Sequence, residues 1–217
     1  MATDDLLQQL QKVFWIGGSV CAGKSTTADI VGEQCGAAVY HFDQQEPFHV
    51  VRSIPEEQPH TIRFMSRTMD ERWVLSSPEE MASDAIASWT ERFPMVLEDL
   101  GQMLAKGPVI AEGVGLFPSL VAPLLSNRRH AAWLISTPEF RGWVRRTREA
   151  TVADAPHISD RQRAFRNLLE RDTLIASHVR QHAMERGLPV MPVDAKTVSA
   201  TVERLEPQVT AWIQAVS

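Results

Sequence analysis

The chain alternates short apolar runs with longer segments in which apolar residues recur every three or four positions. Five runs have the length and composition of strands, namely residues 13–16, 37–42, 109–111, 131–135 and 188–193. Strands that alternate with helices indicate an α/β fold of three layers, in which helices cover both faces of a five-stranded parallel sheet. We expect the last strand at a sheet edge, because Pro189 and Pro192 lack the amide hydrogen that a central strand donates.

Residues typical of helix starts and helix ends support the same arrangement of helices and strands. Ser77 and Ser159 are each followed three residues later by Glu or Gln, which is the pattern of a capping box at a helix start. Gly107 and Gly187 predict helix ends directly before strands. We therefore expect helices over residues 24–35, 59–73, 78–92, 94–106 and 160–186.

The connection between the second and third strands is far longer than one helix requires. It spans residues 44–107, whereas a helical crossover needs only ~10 to 12 residues. The pattern predicts two or three inserted helices. They either add to the packing of the domain or form a subdomain that covers a substrate, and the sequence leaves both interpretations open.

The composition indicates one globular domain over residues 1–217, with 44% hydrophobic and 23% charged residues. A net charge of −5 disfavours nucleic acid as a partner. Neither Cys21 nor Cys35 belongs to a metal-binding or disulfide pattern. The N-terminus is acidic where a secretory signal is basic, and no run approaches the ~18 apolar residues that span a bilayer. We expect a cytoplasmic protein that does not bind membranes.

The strongest motif is a glycine-rich loop. Residues 18–25, Gly-Ser-Val-Cys-Ala-Gly-Lys-Ser, match G-x-x-x-x-G-K-[ST] directly after the first strand and at the start of a helix. In such a loop, backbone N–H groups and the helix dipole surround the phosphates of a nucleotide. We expect Lys24 to neutralise phosphate charge and the Ser25 hydroxyl to bind Mg²⁺, so the expected cofactors are ATP and Mg²⁺. The expected nucleotide contacts are Gly18, Ser19, Val20, Cys21, Ala22, Gly23, Lys24, Ser25 and Thr26.

Two acidic residues close predicted strands. Asp43 follows the second strand and Glu112 ends the third, and ligands of open α/β sheets bind outside these strand ends. Either carboxylate can serve Mg²⁺ or a substrate there. The alternatives are a turn aspartate that bonds its own backbone at Asp43, and a helix cap or an ion pair at Glu112. His41, on the same strand face as Asp43, is either a supporting group or an ordinary core histidine.

Arginines make up 18 of the 22 cations, and this residue type grips phosphate and carboxylate groups. Arg63 and Arg67 share a helix face one turn apart in the insertion. They either hold an anionic acceptor or pair with Asp70 or Glu71 in their own helix.

A second arginine-rich segment covers residues 137–160. Arg141, Arg145 and Arg148 lie on one flank of its helix, which is either a functional surface or a solvated basic face. Asp172 falls within the apolar stripe of the last long helix. We expect it to pair with a cation of another helix rather than with the arginine that precedes it.

These features resemble the P-loop small-molecule kinases, the group that includes nucleoside monophosphate kinases, shikimate kinase, uridine kinase and chloramphenicol phosphotransferase. The resemblance rests on the loop, the acid Asp43, the long insertion, the strand end Ala111-Glu112-Gly113 and the arginine-rich segment after the fourth strand. It covers about residues 12–215 and implies a P-loop NTPase fold.

The resemblance also implies an activity, the transfer of the γ-phosphoryl group of Mg·ATP to a small-molecule acceptor, at a hydroxyl group. Asp43 then contacts the acceptor hydroxyl, and the insertion over residues 44–107 binds the acceptor. Residues 137–160 form a lid, in which Arg141 and Arg145 stabilise the transferring phosphoryl group.

Further acceptor contacts are expected from Arg63, Arg67 and Glu112. Two alternatives stay open. One is a nucleoside monophosphate kinase, in which Arg63 or Arg67 binds the phosphate of the acceptor. The other is a regulatory module that binds or hydrolyses a nucleotide without transferring its phosphoryl group.

Overall fold

The computed structural model of the chain describes residues 4–147, 157–194 and 198–216. In these ranges five strands form one sheet: β1 (Val13–Gly18), β2 (Ala38–His41), β3 (Val109–Glu112), β4 (Ala131–Ser136) and β5 (Val190–Val193). Their order is β2-β3-β1-β4-β5, and all neighbouring strands are parallel. The predicted five-stranded parallel sheet is confirmed, and the proline-containing β5 lies at its edge as expected.

β1 lies at the centre of the sheet, and all of its residues are buried. Its side chains alternate between two cores: Phe14 and Ile16 belong to one, Val13 and Trp15 to the other. A strand without polar positions is typical of a parallel sheet that helices cover on both faces.

Helices form both outer layers. Their bounds are α1 (Asp4–Leu10), α2 (Lys24–Cys35), α3 (Glu46–Arg52), α4 (Pro59–Ser66), α5 (Pro78–Glu91), α6 (Phe93–Leu104), α7 (Pro118–Val121), α8 (Pro138–Thr147), α9 (Arg161–Glu185) and α10 (Val198–Val216). α2 and α10 cover one face, where Trp212 meets Phe14 edge-on with ring centroids 5.7 Å apart. α6 and α9 cover the other face around Trp15 and Trp133. None of the described helices combines the length and apolar character that a membrane crossing requires.

Residues 44–107, all of them described, form four α-helices rather than two or three. A 3₁₀ turn (Asp43–Gln45) leads into α3, and a π-helical turn (Glu71–Leu75) separates α4 from α5. The single helix predicted over residues 59–73 is wrong, because Thr68 begins a new turn. The Thr68 N–H donates to the Glu71 carboxylate at 2.7 Å, and the Thr68 hydroxyl accepts from the Glu71 N–H at 3.3 Å. This is capping-box geometry.

The insertion is anchored on α9 by an apolar cluster of its own. Trp73, Val74 and Met81 pack there against Ala164 and Leu168. This packing fixes the insertion against α9, and a cavity lies between the two.

The two predicted capping boxes have different outcomes. The box at Ser77 is confirmed, since its hydroxyl accepts from the Glu80 N–H at 3.2 Å and its N–H donates to the Glu80 carboxylate at 2.9 Å. The box at Ser159 is wrong. The carboxylate of Asp160 caps α9 instead, accepting a first-turn N–H at 2.9 Å. The Ser159 N–H instead donates to the carboxylate of Asp70 in the insertion at 2.8 Å.

Candidate functional site

The loop between β1 and α2 is shaped by two glycines. Gly18 has a φ of 137°, and a Cβ there would lie 2.0 Å from the Leu134 carbonyl oxygen, so only glycine lets the loop run against β4. Gly23 is the left-handed N-cap of α2, with a φ of 70°. The loop thus ends at the N-terminus of a 12-residue helix, whose first N–H groups have no partners within the helix.

The loop lies where the connections between strands reverse their direction across the sheet. The connection after β1 leads to β2 at one edge of the sheet, and the connection after the neighbouring β4 leads to β5 at the other edge. The crevice outside the carboxyl ends of two such strands is the usual ligand site of an open α/β sheet. The Ser19 N–H fixes the loop there by donating to the Leu134 carbonyl of β4 at 2.9 Å.

A buried polar cluster supports the loop. The Ser136 N–H donates to Ser19 Oγ at 2.8 Å, and the two hydroxyl oxygens lie 2.9 Å apart. Arg141 donates to the Ser136 hydroxyl at 3.1 Å, to the Ser136 carbonyl at 2.9 Å and to the Thr173 hydroxyl at 2.9 Å. Burial lowers the pKa of this guanidinium. The alternative of a solvated basic face is therefore wrong for Arg141, because its side chain is buried behind the loop and bonded to Ser136 at the end of β4. The expected contact of Arg141 with the transferring phosphoryl group stays a prediction.

The two residues expected to serve Mg²⁺ lie together, although 87 positions separate them in the chain. Ser25 Oγ donates to Glu112 Oε1 at 3.0 Å. The same oxygen lies 2.9 Å from Nδ1 of His41, which makes His41 a supporting group of this site. Glu112 is 1% exposed, and its Oε2 has no hydrogen-bond partner among the described residues. Lys24 is also buried, and its Nζ donates to the Ser19 carbonyl at 2.7 Å.

This donor set fits Mg²⁺. A buried carboxylate oxygen without a partner is costly, so the free oxygen of Glu112 calls for a ligand. Mg²⁺ takes oxygen ligands and is usually held by one or two protein groups together with substrate phosphates. The Ser25 hydroxyl and the Glu112 carboxylate provide such groups next to the loop.

Asp43 begins the 3₁₀ turn after β2, and its side chain is exposed. Its charge interacts with that of Arg92, a residue that the sequence analysis did not identify as a site residue. Arg92 is 1% exposed, donates to Glu46 at 3.0 Å, and lies over the Phe42 ring at 4.4 Å. Burial lowers the pKa of Arg92, whereas the nearby charges of Glu46 and Asp43 raise it. No local pattern marked Arg92, because an arginine between two helices is usually a surface residue.

A cavity of about 250 Å³ lies between the insertion and α9. One of its walls comes from Glu46, which follows Asp43 by three residues in a continuous helical backbone, so that both face the same side. Asp43 itself is not part of the cavity lining. The cavity is lined by Glu46, Phe64, Arg67, Arg72, Trp73, Met81, Asp84, Ala85, Ser88, Trp89 and Arg171.

Arg63 and Arg67 share one partner, which is not the expected one. Both form ion pairs with Asp84 of α5, Arg67 at 2.7 Å. The alternative of pairing with Asp70 or Glu71 is wrong, because backbone N–H groups outside α4 engage both of those acids. Arg67 lines both the cavity and an adjoining outer cleft of about 510 Å³, whereas Arg63 lines the cleft and not the cavity.

The fully buried carboxylate of Asp172 joins two arginines. Its Oδ2 accepts from Arg145 of α8 at 2.7 and 2.9 Å, and its Oδ1 accepts from Arg171 at 2.7 and 3.1 Å. The expected pair with another helix is confirmed, but the expectation that Arg171 points elsewhere is wrong. Arg148, with the rest of residues 148–156 of the predicted lid, lies outside the described residues.

Comparison with known proteins adds no family assignment. No protein-family model matches this chain, and no curated protein sequence matches it. A functional inference therefore rests on the loop after β1, the contact between Ser25 and Glu112, and the cavity beside α9.

Proposed function

We propose that this protein transfers the γ-phosphoryl group of Mg·ATP to a hydroxyl group of a small molecule. The observation that carries the proposal is the contact between Ser25 and Glu112 at 3.0 Å. The loop motif assigns Mg²⁺ to Ser25, and beside it lies a buried carboxylate with one unpartnered oxygen. Glu112 also pairs with His41 at 2.9 Å, but that contact uses the oxygen that faces Ser25 and leaves the other oxygen for a ligand.

The nucleotide site consists of residues 18–26. Backbone N–H groups at the start of α2 bind the phosphates, and Lys24 neutralises part of their charge. Ser25 and Glu112 hold Mg²⁺, which supplies positive charge to the phosphate oxygens when it is bound. A P-loop NTPase fold is part of this proposal, supported by the parallel sheet and by the position of the loop after the central strand.

The transfer breaks the bond between the γ-phosphorus and the oxygen that bridges it to the β-phosphate. A bond forms from the acceptor hydroxyl oxygen to the phosphorus, the hydroxyl proton passes to the Asp43 carboxylate, and ADP leaves. We assign Arg145 to the oxygens of the transferring group. Its Nε and Nη2 are held by Asp172, and its Nη1 makes no hydrogen bond in the described part of the chain.

The cavity volume favours this activity over that of a nucleoside monophosphate kinase. About 250 Å³ lies below the ~300 to 1,000 Å³ of sites for drug-sized ligands, so a compound smaller than a nucleotide fits better. Of the two arginines expected to bind the phosphate of such an acceptor, Arg67 lines the cavity but is paired with Asp84, and Arg63 does not line it.

An acceptor-dependent ADP release assay tests the proposal. The protein and Mg·ATP are offered a set of small hydroxyl compounds and, separately, AMP. We expect a hydroxyl compound to stimulate ADP release in the wild type and in Lys12→Ala, but not in Lys24→Ala. Lys12 is an exposed lysine at the opposite end of β1 and serves as the matched control. Stimulation by AMP alone would identify a nucleoside monophosphate kinase, and ADP release that no acceptor changes would contradict transfer.

A further inference from the structure

His41 and Glu112 lie directly opposite each other at the carboxyl ends of the neighbouring strands β2 and β3. Nδ1 of His41 is 2.9 Å from Oε1 of Glu112. The oxygens of an ionised carboxylate only accept hydrogen bonds, so Nδ1 is the donor in this contact. The histidine therefore holds the side chain that we assign to Mg²⁺.

The second nitrogen of the His41 ring is held as well. Nε2 lies 3.2 Å from Oδ1 of Asp29. Asp29 follows Ser25 by one turn on the same face of α2, the helix that packs against β2 and β3. A contact at each nitrogen thus fixes the orientation of the ring, whose side chain is only 17% exposed.

The two oxygens of Glu112 have different surroundings. Oε1 accepts from the Ser25 hydroxyl at 3.0 Å as well as from His41, whereas Oε2 has no partner among the described residues. Ser25 gives its only hydroxyl hydrogen to Oε1, so the lone pairs of Ser25 Oγ stay available for a metal ion. One oxygen of Glu112 therefore anchors the side chain, and the other is left for a ligand.

We propose that His41 is a positioning residue for Mg²⁺ and that Asp29 in turn orients His41. His41 fixes the Glu112 carboxylate through Oε1, so that Oε2 stays available to the metal ion. It acts through Glu112 and does not itself bind the ion. Loss of a group that orients a metal ligand typically lowers metal affinity by ~10 to 100-fold. This assignment rests on the proposed function, because it concerns the metal site of that activity.

Calorimetric titration with the ATP analogue AMP-PNP at a series of Mg²⁺ concentrations tests the proposal without relying on turnover. The measured quantity is the Mg²⁺ requirement, the concentration that gives half of the full Mg²⁺-dependent gain in affinity. His41→Phe keeps a ring but donates to neither carboxylate, so it should raise this requirement by about tenfold or more. Its affinity for AMP-PNP without Mg²⁺ should equal that of the wild type, because the loop and Lys24 supply that affinity.

Two amide variants show which nitrogen of the ring matters. The amide nitrogen of asparagine is as far along the side chain as Nδ1, and that of glutamine is as far as Nε2. His41→Asn can still donate to Glu112 and should recover most of the wild-type Mg²⁺ requirement, whereas His41→Gln should resemble His41→Phe. Thermal melting establishes that each variant is folded. A histidine that only stabilises the fold would give the same Mg²⁺ requirement in all folded variants.

The role of Asp29 is tested against a control on the same helix. Asp29→Ala should raise the Mg²⁺ requirement by less than His41→Phe does, because the Asp29 side chain is 58% exposed and exposed pairs contribute little. Glu33→Ala, at an exposed position one turn further along α2, should leave the requirement unchanged. Equal requirements in these two variants would remove Asp29 from the proposal.

The outcomes separate this proposal from the proposed function. Suppose that the wild type binds AMP-PNP in an Mg²⁺-dependent manner. If a folded His41→Phe then needs no more Mg²⁺ than the wild type, or if His41→Asn needs as much as His41→Phe, the role of His41 is wrong and the nucleotide site stands. If the wild type does not bind AMP-PNP, or binds it equally well without Mg²⁺, the proposed function fails and the role of His41 fails with it.

Discussion

Glu112 and Asp43 are two carboxylates at neighbouring strand ends with different surroundings. Glu112 is buried, bonded to Ser25 through one oxygen, and left without a partner at the other oxygen among the described residues. Asp43 is exposed at the start of a helical turn, three residues before Glu46 of the cavity lining. A buried oxygen next to the loop suits a metal ion, and an exposed acid at the strand end suits proton transfer. We therefore assign Glu112 to Mg²⁺ and Asp43 to the acceptor.

Charge removal at each carboxylate separates these roles. Glu112→Gln should raise the Mg²⁺ concentration at half-maximal activity by about tenfold or more, because a neutral amide binds the metal more weakly than a carboxylate does. At high Mg²⁺ the kcat of this variant should largely recover. Asp43→Asn should leave that concentration unchanged and lower kcat by ~10² to 10⁴-fold, which is the usual contribution of a general base. Mg²⁺ titrations of both variants at saturating ATP and acceptor measure the difference. A raised Mg²⁺ concentration at half-maximal activity with recovered kcat in Asp43→Asn would reverse the two assignments.

At the scale of elements, α8 is fixed to α9 by the carboxylate of Asp172. This side chain is fully buried and accepts from Arg145 on one helix and Arg171 on the other. Removing the charge from a buried ion pair leaves its partners uncompensated, and the cost exceeds that of a surface pair.

Asp172→Asn should lower the free energy of unfolding by about 3 to 5 kcal/mol, because two largely buried guanidinium groups lose their counter-charge. Urea denaturation measures this loss. The control Arg166→Gln, at an exposed position of the same helix, should change it by less than ~0.5 kcal/mol. A loss for Asp172→Asn as small as that of the control would show that α8 is not held by this carboxylate.

Element types could be predicted from the sequence because the spacing of buried apolar residues is a local property. Local chemistry also encoded the break after α4, since Thr68 and Glu71 form a capping box that the longer periodicity concealed. Partners distant along the chain could not be predicted. Asp84, which pairs with both Arg63 and Arg67, lies 21 and 17 residues from them.

The residues of the candidate site also differ in whether the sequence could predict them. The loop motif and the strand end predicted Ser25 and Glu112, because both positions follow from the order of elements. Arg92 gave no signal, because its burial, its bond to Glu46 and its position over the Phe42 ring come from packing between residues far apart in the chain.

At the scale of the whole molecule, a buried polar network ties the insertion to the sheet. His49 of α3 is 0% exposed, and its Nε2 lies 2.8 Å from Asp99 of α6. Asp99 also accepts from the Tyr40 hydroxyl of β2 at 3.1 Å, and Arg92 Nε donates to His49 Nδ1 at 3.4 Å. Burial lowers the pKa of His49, and it raises the pKa of Tyr40. Both groups are therefore neutral in the folded protein near neutral pH.

This network predicts a loss of stability on mild acidification. The pKa of His49 is lower in the folded state than its ordinary value of 6.5, so the unfolded chain binds more protons as the pH falls below 6.5. The contribution of His49 is complete above that pH and is lost as the pH falls through the folded pKa, by at most about 1.4 kcal/mol per pH unit. Urea denaturation between pH 7.5 and 5 measures the slope, in experiments at roughly half-unit intervals. His49→Asn should reduce the slope without abolishing it, because burial also lowers the pKa of His130 and of His178. His157→Asn, at an exposed position, should leave the slope unchanged. Equal slopes in both variants would contradict the role of His49.

The central claim is that the loop of residues 18–25 and Glu112 together bind a nucleoside triphosphate with Mg²⁺. Calorimetric titration with AMP-PNP, with and without Mg²⁺, tests it most directly. The wild type and Lys12→Ala should bind the analogue with a strong Mg²⁺ dependence. Lys24→Ala should lose most of the affinity while keeping its thermal melt, and Glu112→Gln should need about tenfold or more Mg²⁺ to reach the affinity of the wild type. Absence of binding by the wild type, or equal binding by a folded Lys24→Ala, would contradict the assignment of the site.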